Sequence, residues 1–308
     1  MRADVIIVNW NAGAQLFECV DSVIRYGQPF VNRIIVVDNG SSDGSERAVE
    51  NLPNVTLIRV GANLGFGKAC NMGAVHANAE FLLFLNPDAR LFADSLTEVF
   101  GFIQKPENAK VGICGVQLVD EAGHVARSCA RFPSVSGFVA HAAGVDRIFP
   151  ALGHFMSEWD HMATRQVDQV MGAFFLLRRR VFEATEGFDE KFFVYFEEVD
   201  LSYRAKQLGW ASAYIADARA FHAGGGTSRQ VKARRLFYVL RSRILYAFKH
   251  FNPLAAMVVL LATLFVEPLS RSVLAIGCRS WVSLKETWAA YSMLLRWLPD
   301  WIFKGVTR

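Results

Sequence analysis

One apolar run near the first quarter of the chain ends in a polar turn: Phe81-Leu82-Leu83-Phe84-Leu85-Asn86-Pro87-Asp88. An apolar run that stops at Asn-Pro is typical of a buried strand followed by a turn. Asp88 is then expected just beyond the carboxyl end of the strand, which is the edge where open α/β sheets bind ligands. Taken alone, these last three residues are also typical of an ordinary turn. Their role therefore depends on which other polar residues the fold brings to the same edge.

Strand and helix signals alternate on both sides of this run. Further strands are predicted at residues 5–8, 34–37, 55–60, 111–120, 167–177 and 211–216. Helices are predicted at residues 14–26, 68–79, 93–104 and 201–209. The alternation predicts an α/β fold with a mostly parallel, doubly wound sheet. Residues 131–165 show no clear period and are expected to form a variable loop region.

The composition divides the chain into an acidic and a basic part. The net charge is +4, but residues 229–308 hold 13 lysines and arginines against three acidic residues. The hydrophobic content of 52% is high for a soluble protein and suggests contact with a membrane. The five cysteines lack CxxC spacing, which favours reduced thiols in the cytoplasm. Only four apolar residues precede Asn9, so no signal peptide is expected.

The basic part is predicted to be helical and to associate with a membrane surface. Residues 232–250 show an amphipathic helical pattern, and four of the seven tryptophans lie after residue 280. Residues 254–266 are apolar throughout, but these 13 residues are fewer than the about 20 that a spanning helix needs. Glu267-Pro268 closes this run, which favours a re-entrant or interfacial segment. The alternative is a helical hairpin that packs on the α/β domain or on a second subunit.

Six motifs occur in order along the α/β part of the chain. They are Val5-Ile-Ile-Val-Asn-Trp-Asn11, Val37-Asp-Asn-Gly-Ser-Ser-Asp43, Asn63-Leu-Gly-Phe-Gly-Lys-Ala-Cys-Asn71, Leu85-Asn-Pro-Asp-Ala89, Gly172-Ala-Phe-Phe-Leu-Leu-Arg178 and Phe188-Asp-Glu-Lys-Phe-Phe-Val-Tyr-Phe-Glu-Glu-Val-Asp-Leu201. Together they resemble the inverting GT-A glycosyltransferases of family 2, with the rhamnosyltransferase-like enzymes of bacterial surface polysaccharide assembly as the nearest subgroup. The resemblance covers residues 3–228. It implies a GT-A catalytic domain, a Rossmann-like and mostly parallel sheet, over residues 1–228. Residues 229–308 would be a basic amphipathic helical region for membrane association.

The resemblance implies a site for a nucleotide-sugar donor. Asp38 matches the aspartate that accepts the imide N–H of uracil or thymine, although it could instead cap its own turn. Asp43 serves the nucleotide loop or only the turn, and Asn71 lies against the nucleotide or is an inward-facing helix residue. Glycines near Gly65 permit a close approach of the backbone. The implied donor-binding residues are Asn9, Asn11, Asp38, Asn39, Asp43, Asn63, Gly65, Asn71 and Asn86.

Asn86 and Asp88 occupy the place of the family's DxD motif, which implies Mg²⁺ or Mn²⁺ as cofactor. A hard divalent cation prefers oxygen ligands and bridges to the diphosphate of the donor. Because Asn86 is neutral, Asp88 is expected to be the only carboxylate ligand, and metal binding should be weak until nucleotide arrives. His222 matches the position where related enzymes offer a histidine to the metal, whereas a lone histidine is more often structural.

The resemblance places the catalytic base in the acidic pair Glu197-Glu198. The family uses the second acid to take the proton of the attacking acceptor hydroxyl. Glu198, one methylene longer than the usual aspartate, is therefore the predicted base. Glu197 is the alternative, with a role in orienting the acceptor or in pairing with an arginine of residues 178–180. The implied acceptor-binding residues are Gly172, Ala173 and Asp200.

The predicted activity is inverting transfer of a sugar, L-rhamnose in the first instance, from a dTDP- or UDP-sugar to a lipid-linked or polysaccharide acceptor. The enzyme is expected on the cytoplasmic face of the bacterial membrane, peripherally attached, without a nucleic-acid partner and compatible with a homo-oligomer. Met293 stands where the Gln-x-x-Arg-Trp motif of processive members needs glutamine, so one sugar per encounter is predicted. Two alternatives are a non-catalytic GT-A assembly protein and a sugar nucleotidyltransferase. The retained acids argue against the first, and the lack of a basic glycine-rich N-terminal loop argues against the second.

Overall fold

The computed structural model describes residues 1–224 and 232–307, and the chain forms two compact units. Unit 1 contains the described residues of 1–130, 159–190 and 197–227. Unit 2 contains those of 131–158, 191–196 and 228–308, so it includes two segments from earlier in the chain. The predicted domain boundary at residues 228–229 lies outside the described residues and stays a prediction.

Unit 1 is built on a mixed sheet of nine strands. The strands of the protein are β1 (Ala3–Asn9), β2 (Val31–Asp38), β3 (Val55–Arg59), β4 (Phe81–Leu85), β5 (Ala89–Leu91), β6 (Val111–Val119), β7 (Cys129–Ala130), β8 (Arg165–Val167), β9 (Gln169–Val170), β10 (Phe174–Arg178) and β11 (Ala211–His222). The sheet order is β3-β2-β1-β4-β10-β6-β11-β5, with β8 also paired to β11, and β7 and β9 form a separate small sheet. The strands β3, β2, β1 and β4 are parallel neighbours. The predicted α/β fold with a mostly parallel sheet is confirmed.

The helices pack on this sheet or belong to unit 2. They are α1 (Ala14–Tyr26), α2 (Phe66–Val75), α3 (Ser95–Ile103), α4 (Val135–Ala143), α5 (Arg179–Ala184), α6 (Glu197–Gln207), α7 (Lys232–His250), α8 (Pro253–Leu261), α9 (Glu267–Gly277) and α10 (Trp281–Lys304). Helices α4 and α7 to α10 lie in unit 2. β1 is buried over its whole length, as expected of a strand whose two faces are both covered. Gly73 lets α2 approach β1 closely, because a Cβ there would lie 2.6 Å from Ile6 Cγ2.

Parallel pairing brings several polar strand ends to one edge of the sheet. β1 pairs in parallel with both β2 and β4, and Asn9 at the end of β1 lies opposite Asp38 at the end of β2. β10 runs antiparallel to β4, so the residues before Phe174 lie beside those that follow Leu85. Because the carboxyl ends of parallel strands share an edge, the predicted ligand edge holds Asn9, Asp38 and Asn86.

Three predictions of secondary structure are corrected. The strand predicted at residues 167–177 is divided among β8, β9 and β10. The strand predicted at residues 211–216 continues to His222, through an irregular register between Ile215 and Arg219. The predicted loop region 131–165 contains α4. Ser134 caps this helix by accepting a hydrogen bond from Gly137 N, and a short-range cap contact of this kind leaves no trace in the hydrophobic period.

Helices α8 and α9 of unit 2 form one continuous helix, which corrects another prediction. A π-helical turn at Ala262–Val266 joins them, and Glu267 N donates to Ala262 O five residues back. This wider turn accommodates Pro268 in the first turn of α9, so the expectation that Glu267-Pro268 closes the segment is wrong. The joined helix Pro253–Gly277 has 25 residues and is long and apolar enough to cross a membrane by length and composition.

Candidate active site

Asn9 and Asp38 form the polar ends of β1 and β2. Asn9 Nδ2 donates to Asp38 Oδ1 at 2.9 Å and lies 2.9 Å from Ser45 Oγ and 3.0 Å from Ser41 Oγ. Asp38 Oδ2 accepts a hydrogen bond from Ser41 N at 3.3 Å. These contacts hold the carboxylate in one orientation. The bond to Ser41 agrees with the turn-cap alternative, and recognition of a nucleotide base by Asp38 stays a prediction.

Asp43 and Asn11 hold the loop beside this pair. Gly13 N donates to Asp43 Oδ2 at 2.9 Å, and Ser45 donates to Asp43 Oδ1 from its Oγ at 2.7 Å and its N at 3.0 Å. Burial opposes ionisation, but the hydrogen bonds from Ser45 and Gly13 outweigh it and lower the pKa of Asp43. Asn11 Oδ1 accepts a hydrogen bond from Ser42 N at 2.7 Å. Both side chains are engaged within the loop, which supports a role in shaping the site.

Asn39, Asn63 and Gly65 form a second loop network at the same edge. Asn39 Nδ2 donates to Asn63 Oδ1 at 3.0 Å, and the same oxygen accepts from Gly65 N at 3.0 Å. Gly65 has a φ of 88°, a left-handed conformation that favours glycine. A Cβ at Gly40 would lie 2.6 Å from the carbonyl carbon of Ala62. The loops after β2 and β3 therefore touch only because residue 40 lacks a side chain.

Asn71 of α2 is tied to the main chain of Phe188. Its Oδ1 accepts from Phe188 N and its Nδ2 donates to Phe188 O, each at 2.9 Å. Gly187 makes room for this contact, because a Cβ there would lie 2.7 Å from Asn71 Oδ1. The contacts favour the alternative in which Asn71 is an inward-facing structural residue.

The turn after β4 brings Asp88 to His222. Asn86 N donates to Ala173 O at 3.0 Å, which extends the pairing of β4 with β10 by one step. Asp88 Oδ1 lies 3.4 Å from His222 Nε2, and both side chains are 12% exposed. The pairing of β5 with β11 sets His222 opposite Ala89. The strand register therefore places the two predicted metal ligands side by side.

The Asp88–His222 pair offers two ligands for a divalent cation. No group of three or more histidine, cysteine, aspartate or glutamate side chains suited to a metal occurs in the described ranges 1–224 and 232–307. Carboxylate oxygens suit Mg²⁺ and Mn²⁺, and imidazole is a common ligand of transition metals. The residues present therefore fit a cation that takes its other ligands from a bound diphosphate.

Glu197 and Glu198 begin α6 and are both withdrawn from water. Glu197 is 5% exposed, and the Oε2 atom of each glutamate is buried without a hydrogen-bond partner in the described part of the chain. Burial raises the pKa of both carboxyls, and the charge of Glu198 raises that of Glu197 further. The positive end of a helix favours ionised acids, but desolvation outweighs it here. The pair therefore keeps a proton at pH values where an exposed glutamate is fully ionised.

Gly172 connects the acidic pair to the turn after β4. A Cβ at Gly172 would lie 3.8 Å from Glu198 Cγ and Cδ, so the glutamate side chain lies beside this glycine, at the distance where a larger residue would touch it. The next residue, Ala173, accepts the hydrogen bond from Asn86 N. Residues from three separate motifs of the sequence thus meet in one place.

Asp200, also on α6, is fully buried and paired with an arginine. The residue has no exposed surface, and its Oδ2 pairs with Arg204 Nη2 at 2.7 Å and Arg204 Nε at 2.8 Å. Arg204 donates in turn to Gly187 O at 2.9 Å and to Thr185 O. This i,i+4 ion pair fastens the turn at residues 185–187, which favours a structural role for Asp200, and its contact with an acceptor stays a prediction.

The predicted pairing of Glu197 with residues 178–180 is not found among the described residues. Arg178 and Arg179 donate to main-chain oxygens of other elements, and the guanidinium of Arg180 lies 4.6 Å from the centre of the Trp210 ring. None of these contacts involves Glu197 or Glu198.

Three residues of the site were missed by the sequence prediction. Ser41 and Ser45 hold Asn9 through their hydroxyls. Gly67 leaves space at the acidic pair, since a Cβ there would lie 3.6 Å from Glu197 Cβ. Ser41 and Gly67 belong to two of the motifs, whereas Ser45 lies two residues beyond one of them. Serine and glycine are also ordinary loop residues, so this signal was weak.

The fold and the site define the class of the protein, an α/β enzyme of the GT-A glycosyltransferase type. Residues 4–185 match the family model described as glycosyl transferase family 2. The chain belongs to this family, and the resemblance found in the sequence is confirmed.

Its relatives include rhamnosyltransferases. The chain is 30% identical over 233 residues to the N-acetylglucosaminyl-diphospho-decaprenol L-rhamnosyltransferase of Mycobacterium tuberculosis, which covers 71% of this chain and 75% of that protein. It is 26% identical over 223 residues to rhamnosyltransferase WbbL of Escherichia coli K12, with 70% and 81% covered. The mannosyltransferase PcManGT of Pyrobaculum calidifontis, solved with GDP-Man and Mn²⁺, has a TM-score of 0.58 at 18% identity, over 96% of this chain and 87% of that one. At that identity the structural likeness shows the fold alone.

Replacing Glu197 by glutamine is expected to stabilise the protein increasingly as the pH rises. The unfolded glutamate ionises near pH 4.3, whereas the folded one keeps its proton to a higher pH because burial and Glu198 raise its pKa. The wild type therefore loses folding stability as the pH rises between these two pKa values. The glutamine variant does not, because glutamine resembles the protonated acid and does not ionise. The thermal unfolding midpoint of Glu197→Gln should be higher than that of the wild type at about pH 8, but the two should be equal at about pH 4. Glu107→Gln, at an exposed position, is the matched control; an equal advantage of Glu197→Gln at both pH values would refute the explanation.

Proposed function

We propose that the protein transfers a hexose, with L-rhamnose as the first candidate, from a dTDP- or UDP-sugar to a lipid-linked or polysaccharide acceptor in bacterial surface glycan assembly, with inversion. Similarity to the M. tuberculosis relative supports the sugar and the lipid-linked acceptor. The observation that carries the proposal is the placement of Glu198 beside Gly172, which brings a partly buried acid close to the turn that carries Asp88.

Glu198 is the base in this proposal. The acceptor hydroxyl loses its proton to the carboxylate while its oxygen bonds to the anomeric carbon, and the bond from that carbon to the nucleotide diphosphate breaks. Attack on the side opposite to the leaving group inverts the carbon. Because burial raises the pKa of Glu198, its carboxylate is a stronger base than that of an exposed glutamate. A base in position contributes roughly 10² to 10⁴ in rate.

Glu197 is a positioning residue that holds the proton shared by the pair. It is the residue whose pKa is raised both by burial and by the neighbouring charge. With Glu197 neutral, Glu198 can ionise without a second buried charge beside it. Two carboxyls in such different states are a recurring arrangement in acid–base catalysis.

The donor would lie at the carboxyl edge of the sheet. Asp38, whose carboxylate is oriented by Asn9 and Ser41, would accept the imide N–H of the base. Asp88 and His222 would hold a divalent cation with the diphosphate, and the Mn²⁺ in the Pyrobaculum structure supports such a cation. When bound, the cation offsets the charge that develops on the leaving nucleotide.

Unit 2 attaches the enzyme to the cytoplasmic face of a membrane in this proposal. The helix Pro253–Gly277 exposes large apolar side chains at Leu254, Met257, Val258, Leu261, Phe265, Leu269 and Val273. Most of them follow one another at three or four residues, which gathers them mainly on one side of the helix; Val266, Leu274 and Ile276 are exposed as well. Of the 13 lysines and arginines from residue 229 onward, those at the surface would add attraction to anionic lipids, about 1 kcal/mol for each, whereas Arg241 and Arg243 are buried.

Glu198→Gln is expected to remove transfer and to spare nucleotide binding. Glutamine keeps the size of the side chain but cannot take the proton, so turnover with a panel of dTDP- and UDP-sugars should fall roughly 10²- to 10⁴-fold. The affinity for dTDP, measured by calorimetry, should not change. Glu107→Gln is again the control. Turnover retained by Glu198→Gln would refute the assignment of Glu198 as the base. A wild type that is inactive with every sugar of the panel would refute the proposed transfer activity.

Asp88→Asn is expected to abolish the effect of Mn²⁺ on nucleotide binding. The amide keeps the shape but removes the only carboxylate of the Asp–His pair. Calorimetry of the wild type should show that Mn²⁺ tightens dTDP or UDP binding by roughly tenfold, about 1.4 kcal/mol, and the variant should lose this gain while keeping its metal-free affinity. Asp120→Asn is the matched control, because Asp120 forms an exposed pair with His124 at 3.2 Å. An equal Mn²⁺ effect in wild type and Asp88→Asn would contradict the assignment.

Leu269→Glu is expected to weaken membrane association. Leu269 is 63% exposed in the apolar row, and a glutamate there must stay hydrated. The fraction that sediments with vesicles containing anionic lipid should fall at least several-fold. Val75→Glu is the control, since Val75 is 81% exposed at the end of α2 in unit 1. Sedimentation unchanged by Leu269→Glu, or lost equally in Val75→Glu, would count against this face.

A further inference from the structure

Unit 2 contains a cavity of about 470 Å³. Every residue that lines it lies between Arg131 and His154. Its walls are mainly small or apolar side chains: Val139, Ala140, Ala143, Val145, Ala151 and Leu152. The volume lies within the range of about 300 to 1,000 Å³ that is typical of small-molecule sites. A hydrocarbon chain suits such walls better than a sugar, whose hydroxyl groups would lose water without gaining hydrogen bonds.

Two nitrogen atoms of the lining residues lack a partner. Arg131 Nη1 and His154 Nδ1 are buried and have no hydrogen-bond partner in the described part of the chain. Arg131 N donates to His154 O at 2.7 Å, and the Arg131 side chain also pairs with Glu158. Burial lowers the pKa of His154 to about 4, so its ring is neutral at physiological pH. Both residues line the cavity, so a rotation of either side chain would bring its nitrogen to a ligand oxygen there, and a guanidinium binds phosphate oxygens particularly well.

The surroundings of the cavity point to a lipid as the source of this ligand. Its wall helix α4 packs on α8 and α9, which form the helix with the exposed apolar face. The segment that lines the cavity also exposes Ile148, Phe149, Leu152 and Phe155, each by more than half of its surface. Apolar side chains on this segment and on the adjoining helix would share one lipid phase, from which a chain could enter the cavity.

We infer that this cavity binds the isoprenoid chain of a lipid-linked acceptor near its phosphate end, with Arg131 and His154 donating to a phosphate oxygen. The inference rests on the proposed function, because the ligand is the acceptor of that transfer. The chain fills the apolar walls, and the phosphate meets the two unpaired nitrogens. Phosphate without a chain uses only the polar end, and prenyl alcohol uses only the apolar walls.

Titration of the full-length protein with farnesyl phosphate, followed by tryptophan fluorescence, tests this inference. Ala143→Phe adds a ring to the wall from an exposed position of α4 and should weaken binding by roughly tenfold or more. Arg131→Gln should remove the preference for farnesyl phosphate over farnesol. If Ala143→Phe fails to fold, as judged by its thermal unfolding, Ala151→Phe at a second exposed wall position replaces it.

Two variants provide matched controls. Ala289→Phe adds the same ring at an exposed position of α10, and Arg147→Gln removes an exposed arginine that does not line the cavity. Both should bind farnesyl phosphate as the wild type does.

Several outcomes would overturn the inference. Equal binding by wild type and Ala143→Phe would place the lipid elsewhere. Competition by inorganic phosphate at the same concentration as farnesyl phosphate would indicate an anion site, and binding of an amphipathic peptide but not of farnesyl phosphate would indicate a protein groove. If the wild type transfers sugar but does not bind farnesyl phosphate, lipid binding in the cavity is refuted and the proposed activity is not. If it binds farnesyl phosphate but transfers no sugar, the proposed activity is refuted and lipid binding is not.

Discussion

The antiparallel insertion of β10 beside β4 is the constraint on which the site depends. It puts the residues that leave β4 next to those that enter β10, and the hydrogen bond from Asn86 N to Ala173 O continues this register past both strands. Gly172, one residue earlier, then faces Glu198. A slip of one residue in the pairing of β10 with β4 would turn every side chain of β10 to the opposite face. It would also separate Glu198 from the turn after β4. The chemistry therefore depends on a main-chain pairing to which no catalytic side chain contributes.

Helix α6 shows how partners distinguish a structural acid from a functional one. Asp200 is fully buried, but Arg204 neutralises it and the pair fastens a neighbouring turn. Glu197 is almost as buried, yet one of its oxygens has no partner in the described part of the chain, and burial raises its pKa. Burying a carboxyl without a partner is costly, so a helix selected for stability alone would not keep it. Acids of this kind concentrate at functional sites, which is why Glu197 and Glu198, and not Asp200, belong to the proposed mechanism.

Local signals made the parallel part of the fold predictable, whereas long-range contacts decided most of the rest. The ends of β1, β2 and β4 could be read from apolar runs that stop at asparagine, aspartate or proline. Helical spacing put Glu197, Asp200 and Arg204 on one side of α6, but it could not tell which of the acids the arginine would pair with. The length of β11, and with it the position of His222, depends on pairing with β5 and β6. The helix through Pro268 depends on a π-turn that has no sequence signature of its own.

A buried ion cluster limits how the helix Pro253–Gly277 can meet a membrane. Glu267 is 1% exposed and pairs with Arg243, which is 3% exposed, and with Arg271 at 2.7 and 2.8 Å. Removing one partner of a buried pair costs about 3 to 5 kcal/mol, so this side of the helix must stay against protein. A helix surrounded by lipid would have to keep these charges paired within hydrocarbon. The helix is long enough to span, but with one face committed to protein it is suited to a surface position. Only its apolar row would then enter the bilayer, beside the cavity that we assign to the lipid chain.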